Sequence, residues 1–146
     1  MSTSGFVYDA FVSYRHQEPD KSWVRRVFVP ALEEAGLRVC VDHRDFHLGA
    51  PLVTEMARAV EQSGVTVAVL SPAYLAGRFA ELENVLAEHV GLEERALRLL
   101  YVVREPCDPP LRMRARLRLD LTTDEEVADG LPRLVAALRP PLLEDE

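Results

Sequence analysis

Val65–Ser71 (VTVAVLS) is a short run of β-branched and small apolar residues closed by a polar one, and Leu75, Phe79, Leu82 and Leu86 follow it at helical spacing. The valines and the length favour a buried strand over a buried helix, and a strand feeding into a helix is half of a βαβ unit. The same alternation extends outward on both sides. Upstream, Leu52, Met56, Ala59 and Val60 give a helix stripe, with Pro51 in its first turn and Gly64 at its end. Before that helix, Leu37–Val41 (LRVCV) reads as strand two, and Asp42–Gly49 (DHRDFHLG) as a charged, aromatic loop. Phe6–Tyr14 (FVYDAFVSY) reads as strand one. A helix follows it, capped by Asp20 or Ser22, with Trp23, Val24, Val27, Phe28, Ala31 and Ala35 on its apolar side and Gly36 at its end. Pro30 is predicted to bend that helix or mark a weak turn. Downstream, Leu97–Val103 is a fourth strand, Glu105–Pro110 breaks the pattern, and Leu117–Leu121 is a fifth. Thr122 and Thr123 can cap a last helix through Leu138, with Glu125 or Glu126 at the capping-box position. Gly130 and Pro132 are predicted to weaken its first half, and Pro140-Pro141 to stop it.

Strands alternating with helices imply a parallel sheet covered on both faces. The expected fold is therefore α/β, a flavodoxin-like, doubly wound, five-stranded parallel sheet. Residues 1–5 read as a frayed terminus, 6–139 as one domain and 140–146 as an acidic tail. In open sheets of this kind ligands sit outside the carboxyl ends of the strands, near a switch in strand order.

Composition narrows the functional classes. The chain has 146 residues, 48% hydrophobic and 28% charged, as expected of a globular domain. A formal net charge of −7 argues against binding nucleic acid or an anionic membrane surface. No stretch approaches the ~20 apolar residues that span a bilayer, and no basic segment leads into an apolar one as in a signal peptide. The expected location is the cytoplasm, with Cys40 and Cys107 as free thiols. Abundant Ala, Arg and Leu with a single lysine, Lys21, point to a GC-rich bacterial source.

Several chemistries are excluded by what stands at the strand ends. A phosphoacceptor receiver needs a carboxylate at the end of strand three and an acidic pair after strand one. Ser71 and Ser13-Tyr14-Arg15 occupy those places, and Asp9 lies inside strand one. Neither G-x-G-x-x-G nor G-x-x-x-x-G-K-[ST] occurs, nor does an H-x-E…C-x-x-C zinc signature. Asp42, His43, Asp45 and His47 share one loop, but their spacing matches no zinc pattern, so no metal is expected.

Three segments remain: YDAFVSYRH (Tyr8–His16), RDFHLGAPL (Arg44–Leu52) and SPAYLAGRFAELE (Ser71–Glu83). In this order and spacing the chain resembles the Toll/interleukin receptor (TIR) domain family, from about Phe6 to Leu138. Two departures stand out. The family often carries Trp-Cys where this chain has Phe79-Ala80, and a Pro-Gly loop tip where it has Leu48-Gly49. The resemblance implies one of two functions: a scaffold that assembles with other TIR domains, or an enzyme that cleaves the nicotinamide–ribose bond of NAD+. The expected activity is the second, an NAD+ nucleosidase of the bacterial type. Its products would be nicotinamide and ADP-ribose or a cyclised isomer, in a self-associating signalling or antiphage-defence role. NAD+ is then substrate, and no cofactor is implied. The alternative is a non-catalytic TIR–TIR interaction module.

The resemblance assigns the catalytic carboxylate to Glu83. Cleavage builds oxocarbenium-like charge on the ribose while nicotinamide leaves neutral, so a carboxylate near the ribose can stabilise the transition state without a strong acid. Phe79, four residues earlier, shares its helix face with Glu83 and is either a stacking surface for nicotinamide or a core residue. Glu81 lies about 200° round the helix from Phe79. Arg15 either pairs with a ligand phosphate or with Glu18 or Asp20. Ser13, Tyr14, Phe46 and Ser71 are further candidate ligand contacts; for Ser71 the alternative is capping the next turn. Arg44, Asp45, Phe46 and Gly49 carry over as interface positions beside the NAD pocket. Phe46 would be an anchor if exposed and a loop pin if buried, and Gly49 is expected to need positive φ.

Overall fold

The computed structural model describes residues 6–89, 98–109 and 118–139. The described residues contain a five-stranded sheet of order β2-β1-β3-β4-β5, every adjacent pair parallel. Its strands are β1 (Tyr8–Ser13), β2 (Val39–Val41), β3 (Ser63–Leu70), β4 (Leu99–Val103) and β5 (Arg118–Asp120). The helices are α1 (Asp20–Trp23), α2 (Val29–Glu34), α3 (Asp42–Asp45), α4 (Leu52–Gln62), α5 (Pro72–Ala76), α6 (Arg78–His89) and α7 (Asp124–Leu138). This is the flavodoxin-like architecture that strand–helix alternation predicts.

Period-two alternation sorts the strand residues onto two cores. Ala10, Val12, Val67, Val69 and Val102 face Phe28, Leu32, Leu134 and Leu138 on one side. Phe11, Ala68, Leu70, Tyr101 and Val103 face Met56, Val60, Leu82 and Leu86 on the other. The central strands read as apolar runs because they are buried on both faces.

Several local expectations change, and the first part of the expected Asp42–Gly49 loop is the short helix α3 (Asp42–Asp45). Between α1 and α2 the chain forms a π-helical turn, Val24–Phe28, where the amide of Val29 bonds the carbonyl of Val24. Pro30 has no N–H to donate to the turn before it, and the wider turn absorbs the defect without a break. Asp20 and Ser22 do not cap this helix. Ser22 donates to Glu18, and Asp20 is engaged elsewhere. Gly64 does not end α4, because β3 begins at Ser63 directly after it. The single helix predicted after strand three is two, α5 and α6, parted by Gly77.

The capping box forms as expected. Thr123 accepts from the amide of Glu126, whose carboxylate accepts from the amide and hydroxyl of Thr122. Gly130 and Pro132 do not interrupt α7, which runs unbroken through both. Gly130 is required by close approach: a Cβ there would lie 2.8 Å from Leu121 Cδ2. The predicted terminal segments 1–5 and 140–146 and the Pro-Pro stop lie outside the described residues.

Candidate functional site

The segments after β1, β2 and β3 meet at the carboxyl edge of the sheet. There the switch-point crevice between β1 and β3 is closed by side chains. Ser13 Oγ, at the end of β1, lies 2.9 Å from the hydroxyl of Tyr74 on α5. Ser71, just after β3, donates to the Asp20 carboxylate on α1 and accepts from the amide of Tyr74 at 3.2 Å. All four residues are buried. Ser13 and Ser71 are therefore structural links, and the ligand contacts expected of them are replaced by protein contacts. Ser71 takes the capping role its position allowed. Asp20 keeps one oxygen, Oδ1, without a hydrogen-bond partner among the described residues, and burial pushes its carboxyl above the ordinary value.

The open cleft lies beside this closed crevice, between the loop after β2, α4 and the start of α6, with a volume of about 270 Å³. His16, Asp42, His43, Phe46 and Arg78 line it together with loop residues 47–50. Asp42 is its electrostatic centre. His16 Nε2 lies 2.6 Å from Asp42 Oδ2, and Arg78 Nη1 reaches the same oxygen at 3.3 Å. Burial would raise the Asp42 carboxyl, but the His16 bond and the Arg78 charge outweigh it and hold the group below the ordinary carboxylate value. Arg78 also pairs with Glu81 at 3.0 Å. Asp42 and Arg78 are 36 positions apart, and no motif in the sequence signals their pairing; Asp42 entered only as a possible metal ligand. Among the described residues no group of three or more His, Cys, Asp or Glu side chains is arranged to hold a metal ion.

The remaining candidates fall at varying distances from this cleft. Tyr14 is buried and reaches it only through its neighbours, stacking on His16 at 4.6 Å and touching His43. Among the described residues Arg15 pairs with neither Glu18 nor Asp20, the two acids that the sequence offers; Glu18 accepts from Ser22 and Asp20 from Ser71. Its guanidinium lies against Gly77, where a Cβ would come 2.5 Å from Nη1. Phe79 is only 3% exposed and wedged between Tyr74 and Tyr101, with ring centroids 5.8 and 6.2 Å away. It is a core residue, and the stacking surface expected of it is not open. Glu83 is half-buried on α6, close enough to Tyr74 for its charge to help raise that phenol. It does not line the cleft. Arg78 and Glu83 are five residues apart, about 140° round the helix, so they serve different flanks of α6.

The segment after β2, α3 and the loop beyond it, is held by a set of hydrogen bonds and ion pairs. Arg44 donates to the carbonyl of Val39 at 2.7 Å and pairs with Glu33 at 3.0 Å. Asp45 accepts the amide of Val41 at 2.9 Å. Glu55, buried on α4, accepts the amide of His47 and a guanidinium N–H of Arg58, each at 2.7 Å, and the Arg58 bond first among them holds its carboxyl below the ordinary value. Phe46 stacks on Phe11 at 5.9 Å and is a pin, not the exposed anchor. The exposed apolar residue is Leu48, 103% exposed, which sequence reasoning noticed only as a missing proline. Gly49 has φ of +84°, the left-handed conformation expected of it.

Comparison with known proteins bears on this geometry. A family model described as TIR domain matches residues 10–135. Toll-like receptor 6 of Mus musculus is 32% identical over 99 residues, which cover 68% of this chain and 12% of that protein. Protein toll of Drosophila melanogaster is 32% identical over 98 residues, covering 66% of this chain and 9% of that one. The chain thus spans a small part of the curated relatives it matches. Among solved structures, the TIR domain of the Toll-related receptor TRR-2 from Hydra magnipapillata superposes with a TM-score of 0.75 at 23% identity, covering 90% of this chain and 98% of that one. A metazoan TIR-STING receptor from C. gigas gives 0.77 at 23% identity, covering 98% of this chain and 43% of that one. Identities this low carry the fold and nothing more. No helix among the described residues is long and apolar enough to cross a membrane.

Proposed function

The chain belongs to the TIR domain family, and on that premise we propose that it is an NAD+ glycohydrolase of the family's bacterial branch, acting as a self-assembling signalling or defence effector. The observation that carries this reading is Glu83: a half-buried carboxylate on the helix after β3, against the buried Tyr74. Its role is to stabilise positive charge on the ribose as the bond to the pyridinium nitrogen breaks. Nicotinamide keeps the bonding pair and leaves neutral. Water then adds to the ribosyl cation, giving ADP-ribose and releasing one proton; attack by the adenine ring instead gives a cyclic isomer.

One chain does not bring all the parts together. The cleft faces the Arg78 flank of α6, whereas Glu83 lies about 140° away. A second copy docked on the loop after β2 supplies the missing wall, and this is why the reading couples catalysis to assembly. The test is nicotinamide release from NAD+ by concentrated protein, compared with Glu83→Ala. Release by the wild type alone supports the reading. Equal release by both, or none from assembled wild type, overturns it.

A second reading, a TIR–TIR interaction module without chemistry, draws on two observations. Phe79 has no free face, and Leu48 is fully exposed at a pinned loop tip. Assembly that depends on Leu48, with no nicotinamide released in any state, would establish it.

A further inference from the structure

The sheet ends at β5, whose outer edge pairs with no other strand among the described residues. Unpaired edges invite pairing with other chains, and folded proteins cover or charge them. Beside this edge, where β4 and β5 face the last turns of α7, lies a second hollow of about 160 Å³. Leu100, Leu119, Leu134 and Ala137 give it an apolar floor, and the exposed Arg118 and Arg133 line it as well. An apolar cavity of about 150 Å³ holds a benzene ring, so an aliphatic side chain fits here. Neither guanidinium has a hydrogen-bond or ion-pair partner among the described residues. The occupant that matches this lining is a short segment with leucine next to carboxylates.

Such a segment follows α7 directly: Pro140–Glu146, PPLLEDE. α7 stops at Leu138, and Arg139 already has extended backbone, with φ −69° and ψ +137°. Prolines do not continue a helix, and they favour an extended path of about 3.1 Å per residue. The three steps from Arg139 to Leu142 then cover about 9 Å. A helix rises about 1.5 Å per residue, so Arg133 also lies about 9 Å back along α7 from Arg139. Chain that turns back at Arg139 therefore brings Leu142 or Leu143 level with Arg133 and Leu134, and the acidic run to the two guanidiniums. The adjoining hollow, toward the start of α7, shares both arginines but adds Asp120, Glu126 and Asp129. Those carboxylates repel the acidic run and confine the match to the end of the groove nearest Ala137.

We propose that the hollow between β4, β5 and the end of α7 is the docking site of the chain's own PPLLEDE segment, with one leucine on the apolar floor and carboxylates on Arg118 and Arg133. Docked there, the segment covers the free edge of the sheet. Charge complementarity and reach select this occupant, independently of any NAD+ chemistry.

The test uses the full chain with ¹³C-labelled methyl groups, at low protein concentration. Nuclear Overhauser contacts are expected from Leu142 or Leu143 to Leu119, Leu134 and Ala137. Serine in place of the seated leucine, Leu142→Ser or Leu143→Ser, should lower the ratio of docked to free segment about 10- to 100-fold, the worth of burying one leucine. Arg118→Glu with Arg133→Glu should lower it by up to about fivefold per lost ion pair. Adding Glu144→Arg and Asp145→Arg should restore it. Melting curves of each variant show whether it folds. Absence of these contacts overturns the proposal, and so does a ratio unmoved by charge reversal in folded protein. Contacts found only between differently labelled copies assign the hollow to a second copy, and overturn it as well. The NAD+ reading fails separately, by the nicotinamide release assay.

Discussion

Replacing Leu48 with serine should weaken assembly and leave folding untouched. The side chain is 103% exposed, so its loss uncovers no apolar surface in the folded monomer. A surface change of this kind alters folding stability by about 0.5 kcal/mol or less. Buried against a second copy, the same side chain would contribute about 1.5–3 kcal/mol. That corresponds to a roughly 10- to 100-fold weaker association constant on its removal. Sedimentation velocity over a concentration series reads the association, and a thermal melt of the same samples reads the fold. The expected outcome is a Leu48→Ser protein that melts with the wild type but remains monomeric at concentrations where the wild type has assembled. The reasoning is refuted if the two sediment alike, if the wild type never assembles, or if the variant's melting point falls as it would after a core substitution.

Phe79→Ala should cost about 3–5 kcal/mol of folding stability, because the ring fills space between Tyr74 and Tyr101; urea unfolding checks this, and a loss near zero would restore the ring to the ligand side. For Asp42→Asn the stability deficit against wild type should be full above the ordinary carboxylate value of about 3.9 and shrink as pH falls through the lowered native value, since a depressed carboxyl stabilises only while ionised. Urea midpoints at pH 6 and at pH 2.5 read the difference. Gly130→Ala should destabilise despite alanine's better helix propensity, because its Cβ meets Leu121 at 2.8 Å and Leu119 at 3.2 Å. Overpacking of about 1–3 kcal/mol set against about 1 kcal/mol of propensity leaves a net loss of up to about 2 kcal/mol, measured by the same unfolding curves.

The sheet was legible because each central strand is an apolar run with its own alternation, and these local patterns survive in the structure at Val12, Val67 and Val102. Boundaries were less legible where a residue's usual habit is overridden by its neighbours. Gly64 reads as a helix stop, but parallel pairing with β1 draws β3 back to Ser63. Gly130 reads as a helix breaker, but Leu121 and Leu119 approach its backbone so closely that a Cβ there would force their side chains to shift. In the site, Phe79 was ambiguous for a physical reason. The helix face that would present a ring to a ligand is also the stripe that packs α6 on the sheet, and the core claims it. Ser13 and Ser71 drew notice as polar residues at strand ends, and the structure ties them to Tyr74 and Asp20 instead. The Asp42–Arg78 contact and the cluster of Arg25, Tyr14 and His43 join segments remote in sequence, and only the folded chain brings them together.

The loop that carries Leu48 outward also forms one wall of the cleft, through Phe46, His47, Gly49 and Ala50. Glu55 and Arg58 bond its backbone at His47 and Asp45, tying the tip and the wall alike to α4. Grip on the tip and occupancy at the wall are bound by reciprocity. Whatever factor a docked neighbour adds to the affinity for a small molecule in the cleft, that small molecule adds to the affinity for the neighbour. On the proposed function, where a second copy and a ligand both engage this loop, dose-response curves for ligand should steepen with protein concentration.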